Sequence, residues 1–326
     1  MATVAVIGAG AVGCYYGALL ARAGHAVRFL MRRDLEAVQT GGLEIRSPAG
    51  DFRLKRVAAF GTPEEIGPVD WVLCSLKATA IEQAQRLVAP CMAPNTRVLA
   101  LMNGLGIEER FAGWFGGERV FGGMAFVCIN RGDPGVIHHL VYGRVSIGHY
   151  EDDPEQAEEL RALLASGGIE VVVAPNLRFA RWEKLCWNVP FNGLSVAAGG
   201  VGTQTILGDE ALSRIAEGAM REVAAAGNAD LEAVGAKERL DAESVVQAMF
   251  AQTRAIGDYR TSMVIDYVLG RELEVEAILG EPSRRARALG VAAPTVDSLY
   301  GLVRAADRRG RGIMPVLTPG DVNGQW

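Results

Sequence analysis

The sequence predicts an α/β protein in two parts: a doubly wound domain built on a parallel sheet, then an all-helical domain. Three observations carry this. The chain enters an apolar, β-branched run, Thr3-Val4-Ala5-Val6-Ile7, that turns through Gly8-Ala9-Gly10-Ala11-Val12-Gly13 into a helical pattern. Strand-like and helix-like patterns then alternate to about residue 150. Beyond Pro175 the β-rich runs vanish and long helical periods take over. Domains at 1–175 and 176–326 follow.

In the opening turn, Gly8 permits the tight bend, Gly10 lets backbone approach a pyrophosphate, and Gly13 allows the helix to pack close to the strand. Phosphates would sit on the helix N–H groups. The spacing alone is a weak signal in a chain with 40 glycines. Its setting is what makes it specific: a helical run over 14–23, a stop at Gly24 and a second strand over 26–31 complete a strand–turn–helix–strand unit. This is the Rossmann-type, dinucleotide-binding arrangement. The continuous apolar runs at 69–76 and 97–101 suit parallel strands buried on both faces, with a helix over 80–88 that Pro90 and Pro94 close. Runs near 120–128, 135–139 and 144–149 suggest an antiparallel extension, followed by a charged helix over 151–165 and a strand over 169–174. The tail over 314–326, with Pro315, Pro319 and Gly320, is expected to be poorly ordered or draped on the surface.

The residue ending the second strand reads the adenosine ribose: an acid accepts from a 2′-OH, whereas arginine complements a 2′-phosphate. Arg32 and Arg33 stand there and favour NADP, because a guanidinium pairs with phosphate and offers a ribose hydroxyl no acceptor. Asp34, also about 20 residues beyond the glycine turn, keeps NAD open.

At 326 residues, 49% hydrophobic and 22% charged, the chain is long enough for two cores. Its net charge of −5 provides no basic field for nucleic acid or anionic lipid, so a small molecule is the expected partner. The five cysteines show no Cys-x-x-Cys spacing and are expected as buried free thiols in a reducing compartment. No uncharged apolar run approaches the ~18 residues of a membrane helix, and the first strand starts without a basic leader, so a cytoplasmic protein is expected. His138-His139 lacks further ligands at metal spacing and fits a strand-edge pair; no metal is expected.

Chemistry concentrates in the second half. Lys184, Asn188 and Asn192 fall at i, i+4 and i+8, so one helix face carries an ammonium and two carboxamides among apolar neighbours. Buried, each needs partners, which a ligand or a polar seam would supply. Pro190 lies inside this run and should kink it or relieve its hydrogen bonding. Ser262 could cap a helix or donate to a ligand, and Glu274 could be a surface carboxylate or accept from a substrate hydroxyl. Lys77 and Asn103 each follow a predicted parallel strand, at the ends where open α/β sheets bind ligands.

Together these pieces resemble the 2-dehydropantoate 2-reductase (ketopantoate reductase) family over nearly the whole chain. The resemblance rests on the glycine turn, Arg32, Ser75-Leu76-Lys77-Ala78, Asn103-Gly104-Leu105-Gly106, Lys184-Leu185-x-x-Asn188-x-x-x-Asn192-x-Leu194-Ser195, Ser262-Met263-x-x-Asp266 and Glu274. It implies a nucleotide domain joined to a helical domain of the 6-phosphogluconate dehydrogenase C-terminal type, with reaction in the cleft between them. It implies NADPH-dependent reduction of 2-dehydropantoate to pantoate, on the route to pantothenate and coenzyme A. By resemblance, Lys184 is the general acid and Glu274 the carboxylate that binds substrate. Asn188, Asn192 and Ser262 hold the substrate's hydroxyl and carboxylate ends. Lys77 and Asn103 bridge cofactor and substrate, and Gly8, Ala9, Gly10, Ala11, Val12, Gly13 and Arg32 hold the cofactor.

The chain departs from the family pattern close to Glu274. Glu276 and Leu279-Gly280 stand where an Asp and an Asn-Gly pair are common, Leu273 replaces a common Thr, and Pro282 interrupts what is usually uninterrupted helix. These changes bear on which 2-oxo acid is bound more than on the chemistry. Reduction of another 2-oxo acid, or a non-catalytic dinucleotide-sensing role, therefore remain as alternatives. A 6-phosphogluconate or glycerol-phosphate type dehydrogenase would need a phosphate-binding cluster that the second half does not clearly supply. The oligomeric state is open, with a homodimer among the assemblies allowed.

Overall fold

The computed structural model describes residues 1–317 and 321. The chain divides into two compact units, Met1–Ala180 and Arg181–Trp326, with the division falling inside the helix Leu177–Ala197.

The first unit is built on a ten-stranded mixed sheet. Its strands are β1 (Thr3–Ile7), β2 (Ala26–Leu30), β3 (Leu43–Arg46), β4 (Phe52–Leu54), β5 (Ala58–Phe60), β6 (Trp71–Cys74), β7 (Arg97–Ala100), β8 (Val120–Arg131), β9 (Val136–His149) and β10 (Val171–Val173). Across the sheet the order is β4-β3-β9-β8-β7-β6-β1-β2-β5, with β10 pairing β9. The stretch β5-β2-β1-β6-β7-β8 is parallel throughout, the doubly wound order in which the chain reverses direction of growth between β1 and β6. All four residues of β6 are buried, as the unbroken apolar run requires of a strand covered on both faces. The first helix, Ala11–Arg22, packs tightly against the sheet. A Cβ on Gly13 would overlap Ser75 Oγ and the Gly8 carbonyl oxygen, and one on Gly17 would lie 2.6 Å from Phe29 Cε1.

Strands β8 and β9 form the expected antiparallel extension, although the two runs expected at 135–139 and 144–149 are a single strand. Pairing shifts register between Phe126 and Val127 and between Cys128 and Ile129. On the partner strand, Tyr142 and Gly143 adopt positive φ of 67° and 133°. A bulge absorbs these residues without ending the ladder, so the interruption in hydrophobic pattern is not an interruption in the strand. The strands β3, β4 and β5 go beyond the expectation; at three or four residues each they are too short to show a period. His138 and His139 lie on β9. His139 is buried, its ring nitrogens shared with Ser47 Oγ at 2.8 Å and the Tyr142 carbonyl at 2.7 Å, and it stacks on Tyr15. The charged helix runs over Pro154–Ser166, capped by Asp153, whose Oδ1 accepts from the Glu155 and Gln156 amides.

The second unit is helical: the remainder of Leu177–Ala197, then Thr203–Gly208, Glu210–Ala233, Ala242–Ile256, Ser262–Val268, Glu281–Ala288 and Pro294–Gly310. Trp182 is fully buried, donates from Nε1 to Asp230 Oδ2 at 2.8 Å, and lies where a Cβ on Gly227 would be 2.9 Å from its Cγ. The glycine lets the two helices approach closely. Pro190 does not end the long helix, although it withholds the amide that would bond the Cys186 carbonyl. Pro282 likewise interrupts nothing. The chain widens into a π-turn over Glu276–Gly280, where the Glu281 amide bonds the Glu276 carbonyl, and continues as helix through the proline. A π-bulge accommodates a residue that cannot donate to the i−4 carbonyl.

All five cysteines are free, four of them buried and Cys128 partly so. No helix among the described residues is long and apolar enough to cross a membrane. Residues 314–317 are exposed and irregular; the rest of the tail expectation, at 318–320 and 322–326, lies outside the described residues.

Candidate active site

In the first unit the candidate residues gather at the carboxyl ends of β1, β6 and β7. Gly8 bends the chain with φ +91°, and a Cβ there would lie 2.6 Å from the Leu76 amide nitrogen. No other residue fits this approach. The Gly8 carbonyl accepts from Ser75 Oγ at 2.8 Å, tying the turn to the end of β6. Gly10 differs from its neighbours: its φ is −80°, and a Cβ added to it would meet nothing nearer than the Gly8 oxygen at 3.9 Å. The protein itself does not demand glycine there, so the open space in front of it is a cradle a side chain would fill. Ala9, Ala11 and Val12 complete the turn into the helix, whose N-cap Gly10 contributes no side-chain cap. Uncapped N–H groups beside an open cradle fit the pyrophosphate of a dinucleotide.

Lys77, exposed, follows β6 and precedes a short 3₁₀ turn, Ala78–Ala80. Asn103, half-buried, lies in the loop after β7, and its carboxamide makes no hydrogen bond among the described residues. Beyond β2, Arg32 is exposed and its guanidinium forms no hydrogen bond or ion pair among the described residues, whereas Asp34 is buried and accepts from Arg131 Nη2 at 2.6 Å.

The second unit assembles the polar helix face. Lys184 is half-buried and Asn188 and Asn192 are buried along the long helix, between Leu185, Val189 and Phe191 of its core side. The Asn192 Oδ1 accepts from the Met263 amide at 3.3 Å, which brings the N-terminus of Ser262–Val268 to this face. Thr261, not Ser262, caps that helix, accepting from the Val264 amide at 3.2 Å. Ser262 is left exposed at the first helical position, with its hydroxyl outside the capping bond. The Asn188 carboxamide makes no hydrogen bond among the described residues.

Lys184 has its pKa pushed down to about 7. Desolvation is the main cause: although part of its surface stays accessible, the ammonium is enclosed by protein, which disfavours the charged form. Arg181, buried one turn earlier on the same helix, lowers it further, and the Glu274 carboxylate raises it in part. Glu274, 9% exposed, is therefore within electrostatic reach of Lys184 despite lying 90 positions later in the chain. Arg181 also belongs to this environment, and in sequence only its i−3 spacing from Lys184 signals it. Ser195 also stands on the same face, fully buried, with an Oγ that has no hydrogen-bond partner among the described residues. Among the departures near Glu274, Leu279 is fully buried and lies 3.3 Å from where a Gly193 Cβ would be, while Glu276 points outward to Arg284 and Tyr300. No group of three or more His, Cys, Asp or Glu side chains placed to hold a metal occurs among the described residues.

A doubly wound nucleotide unit with an open glycine cradle, followed by a helical unit carrying a lysine poised to exchange a proton, defines a dinucleotide-dependent oxidoreductase. Residues 4–152 match the family model "Ketopantoate reductase PanE/ApbA" and residues 176–307 match its C-terminal counterpart, so the chain belongs to the ketopantoate reductase family. It is 36% identical over 315 residues to a 2-dehydropantoate 2-reductase of Nostoc sp., covering 94% of this chain and 96% of that one. A crystal structure of 2-dehydropantoate 2-reductase from Geobacter metallireducens superposes with a TM-score of 0.89 at 42% identity, covering 93% of this chain and 99% of that one. A D-mandelate dehydrogenase solved with NADH and anilino(oxo)acetate shares the fold, with a TM-score of 0.85 at 23% identity and coverage of 94% and 99%.

Proposed function

We propose that this protein reduces 2-dehydropantoate to pantoate with NADPH as the hydride donor. The observation that carries the reading is Lys184, an ammonium brought to a pKa of about 7 on a polar helix face beside Glu274. Bound NADPH would supply hydride to the 2-keto carbon, and the residues to hold it are Gly8, Ala9, Gly10, Ala11, Val12, Gly13, Arg32, Lys77 and Asn103. Lys184 holds the proton that the developing alkoxide needs, and at a pKa near neutrality the donation is matched to working pH. Glu274 accepts from the substrate hydroxyl and keeps part of the ammonium charge in place. Asn188, with its unused carboxamide, Asn192, Ser262 and Asn103 orient the substrate's polar ends. Residues 1–175 then serve the cofactor and 176–326 the substrate and proton. A cytoplasmic enzyme with a small-molecule partner, assembled as a homodimer, accords with this reading.

Leu279 supports a second reading, reduction of a different 2-oxo acid, because it places a buried leucine near Gly193 on the helix that carries Asn192. A panel of 2-oxo acids assayed with NADPH and NADH separates the two. We expect 2-dehydropantoate with NADPH to give the highest kcat/KM, falling about 100-fold or more when the substrate hydroxyl is removed and its acceptor is left unpaired. A higher kcat/KM for an aromatic or hydroxyl-free 2-oxo acid would overturn the assignment in favour of the second.

A further inference from the structure

The loop after β2 places an acid where dinucleotide enzymes read the adenosine ribose, and the fold has turned that acid away. Asp34, 5% exposed, stands at the N-cap of the helix Leu35–Gly41, yet its side chain makes no capping bond. Asp is among the residues favoured at that position because it caps, so the side chain is held by something else. Its Oδ2 accepts from Arg131 Nη2 at 2.6 Å, from the last residue of β8. Its Oδ1 is buried without a hydrogen bond among the described residues, with Arg33 Nε at 3.5 Å. Both members of the pair act on the Cys14 thiol, which donates to the Ala9 carbonyl at 3.4 Å, so the ion pair lies beside the glycine turn.

An available carboxylate here would accept from the 2′-OH of NADH and repel the 2′-phosphate of NADPH. A buried one without a counter-charge would be costly, and Arg131 supplies that charge from a strand distant in sequence. We infer that Arg131 is a positioning residue for cofactor choice: by holding Asp34 in an inward ion pair, it denies NADH its ribose acceptor and leaves Arg32 to pair with the 2′-phosphate. The inference rests on NADPH being the hydride donor. It assigns the selection to a masked acid as well as to the exposed arginine.

The test measures dissociation constants of NADPH and NADH by quenching of tryptophan fluorescence in the full chain, without substrate. In Arg131→Met, the preference for NADPH should fall at least about tenfold, the size of one charged hydrogen bond gained by the wrong cofactor. Arg131→Lys, which keeps the counter-charge, should stay near wild type, and Asp34→Asn combined with Arg131→Met should restore most of the preference. A general loosening of the hairpin would weaken both cofactors alike and would not be rescued by the second substitution. Should Arg131→Met not fold, Asp34→Asn alone decides: a masked acid predicts NADH affinity within about twofold of wild type, and a tenfold loss of NADH binding overturns the inference. A preference for NADPH that survives intact in Arg131→Met removes the role of Arg131 and leaves the NADPH reading standing. A wild-type protein that binds NADH as tightly as NADPH overturns both.

Discussion

The glycine turn and the lysine face solve different physical problems. At the turn, function rests on backbone shape: Gly8 at φ +91°, Gly13 against Ser75 and Gly10 before open space are each explained within a few residues or by one adjacent strand. At the lysine face, function rests on environment. Lys184 owes its lowered pKa to enclosure by protein and to Arg181, with Glu274 opposing the shift in part, and Asn192 is oriented by an amide from a separate helix. The turn is therefore sensitive to the volume of a side chain and the lysine face to its charge, so the two should fail in different ways.

The largest expected effect tests the charge-dependent site. In Lys184→Ala, kcat for reduction should fall about 10³-fold, within the range for loss of a positioned general acid, while NADPH affinity measured by fluorescence stays within about threefold of wild type. Retained turnover would show that the proton comes from elsewhere. The complementary break is steric. Gly8→Val puts a β-branched residue at positive φ with its Cβ 2.6 Å from the Leu76 amide, and should cost about 2–4 kcal/mol in denaturant unfolding along with NADPH binding. A Gly8→Val protein with wild-type stability would mean that the turn relaxes at no cost.

The same contrast explains what was legible in the sequence. The three glycines could be assigned because the geometry they allow is local, and strands β1, β2, β6 and β7 stood out as short apolar runs bounded by turn signals. Lys184, Asn188 and Asn192 were legible as a face because a helix repeats every turn, but their partners were not: Met263 and Glu274 reach them only through tertiary packing. Asp34 showed an acid in the ribose-reading position, and only Arg131, 97 residues away, shows why that acid is turned inward. Thr261 and Ser262 are both competent caps in sequence, and the backbone alone decides between them. Pro282 suggested a break because sequence does not reveal that a π-turn can absorb it.

The smallest predicted effect separates the cost of holding Lys184 from its use. The unfolded chain should bind this proton up to the ordinary lysine pKa of 10.5, whereas the folded chain releases it near 7. Between those values the unfolded state carries more protons, so unfolding free energy should rise with pH; below about 7 both states are protonated and the full cost of enclosing the ammonium remains. Lys184→Met keeps similar bulk and cannot titrate. The difference in unfolding free energy, wild type minus Lys184→Met, should therefore climb by roughly 1 kcal/mol or more from pH 7 to pH 10, well under the full linkage value because Lys184 retains some solvent contact. Cysteines and tyrosines that titrate in the same window are common to both proteins and cancel in the difference. A flat difference would mean that solvent relieves the ammonium after all, and the lysine face would lose the property that sets it apart from the turn.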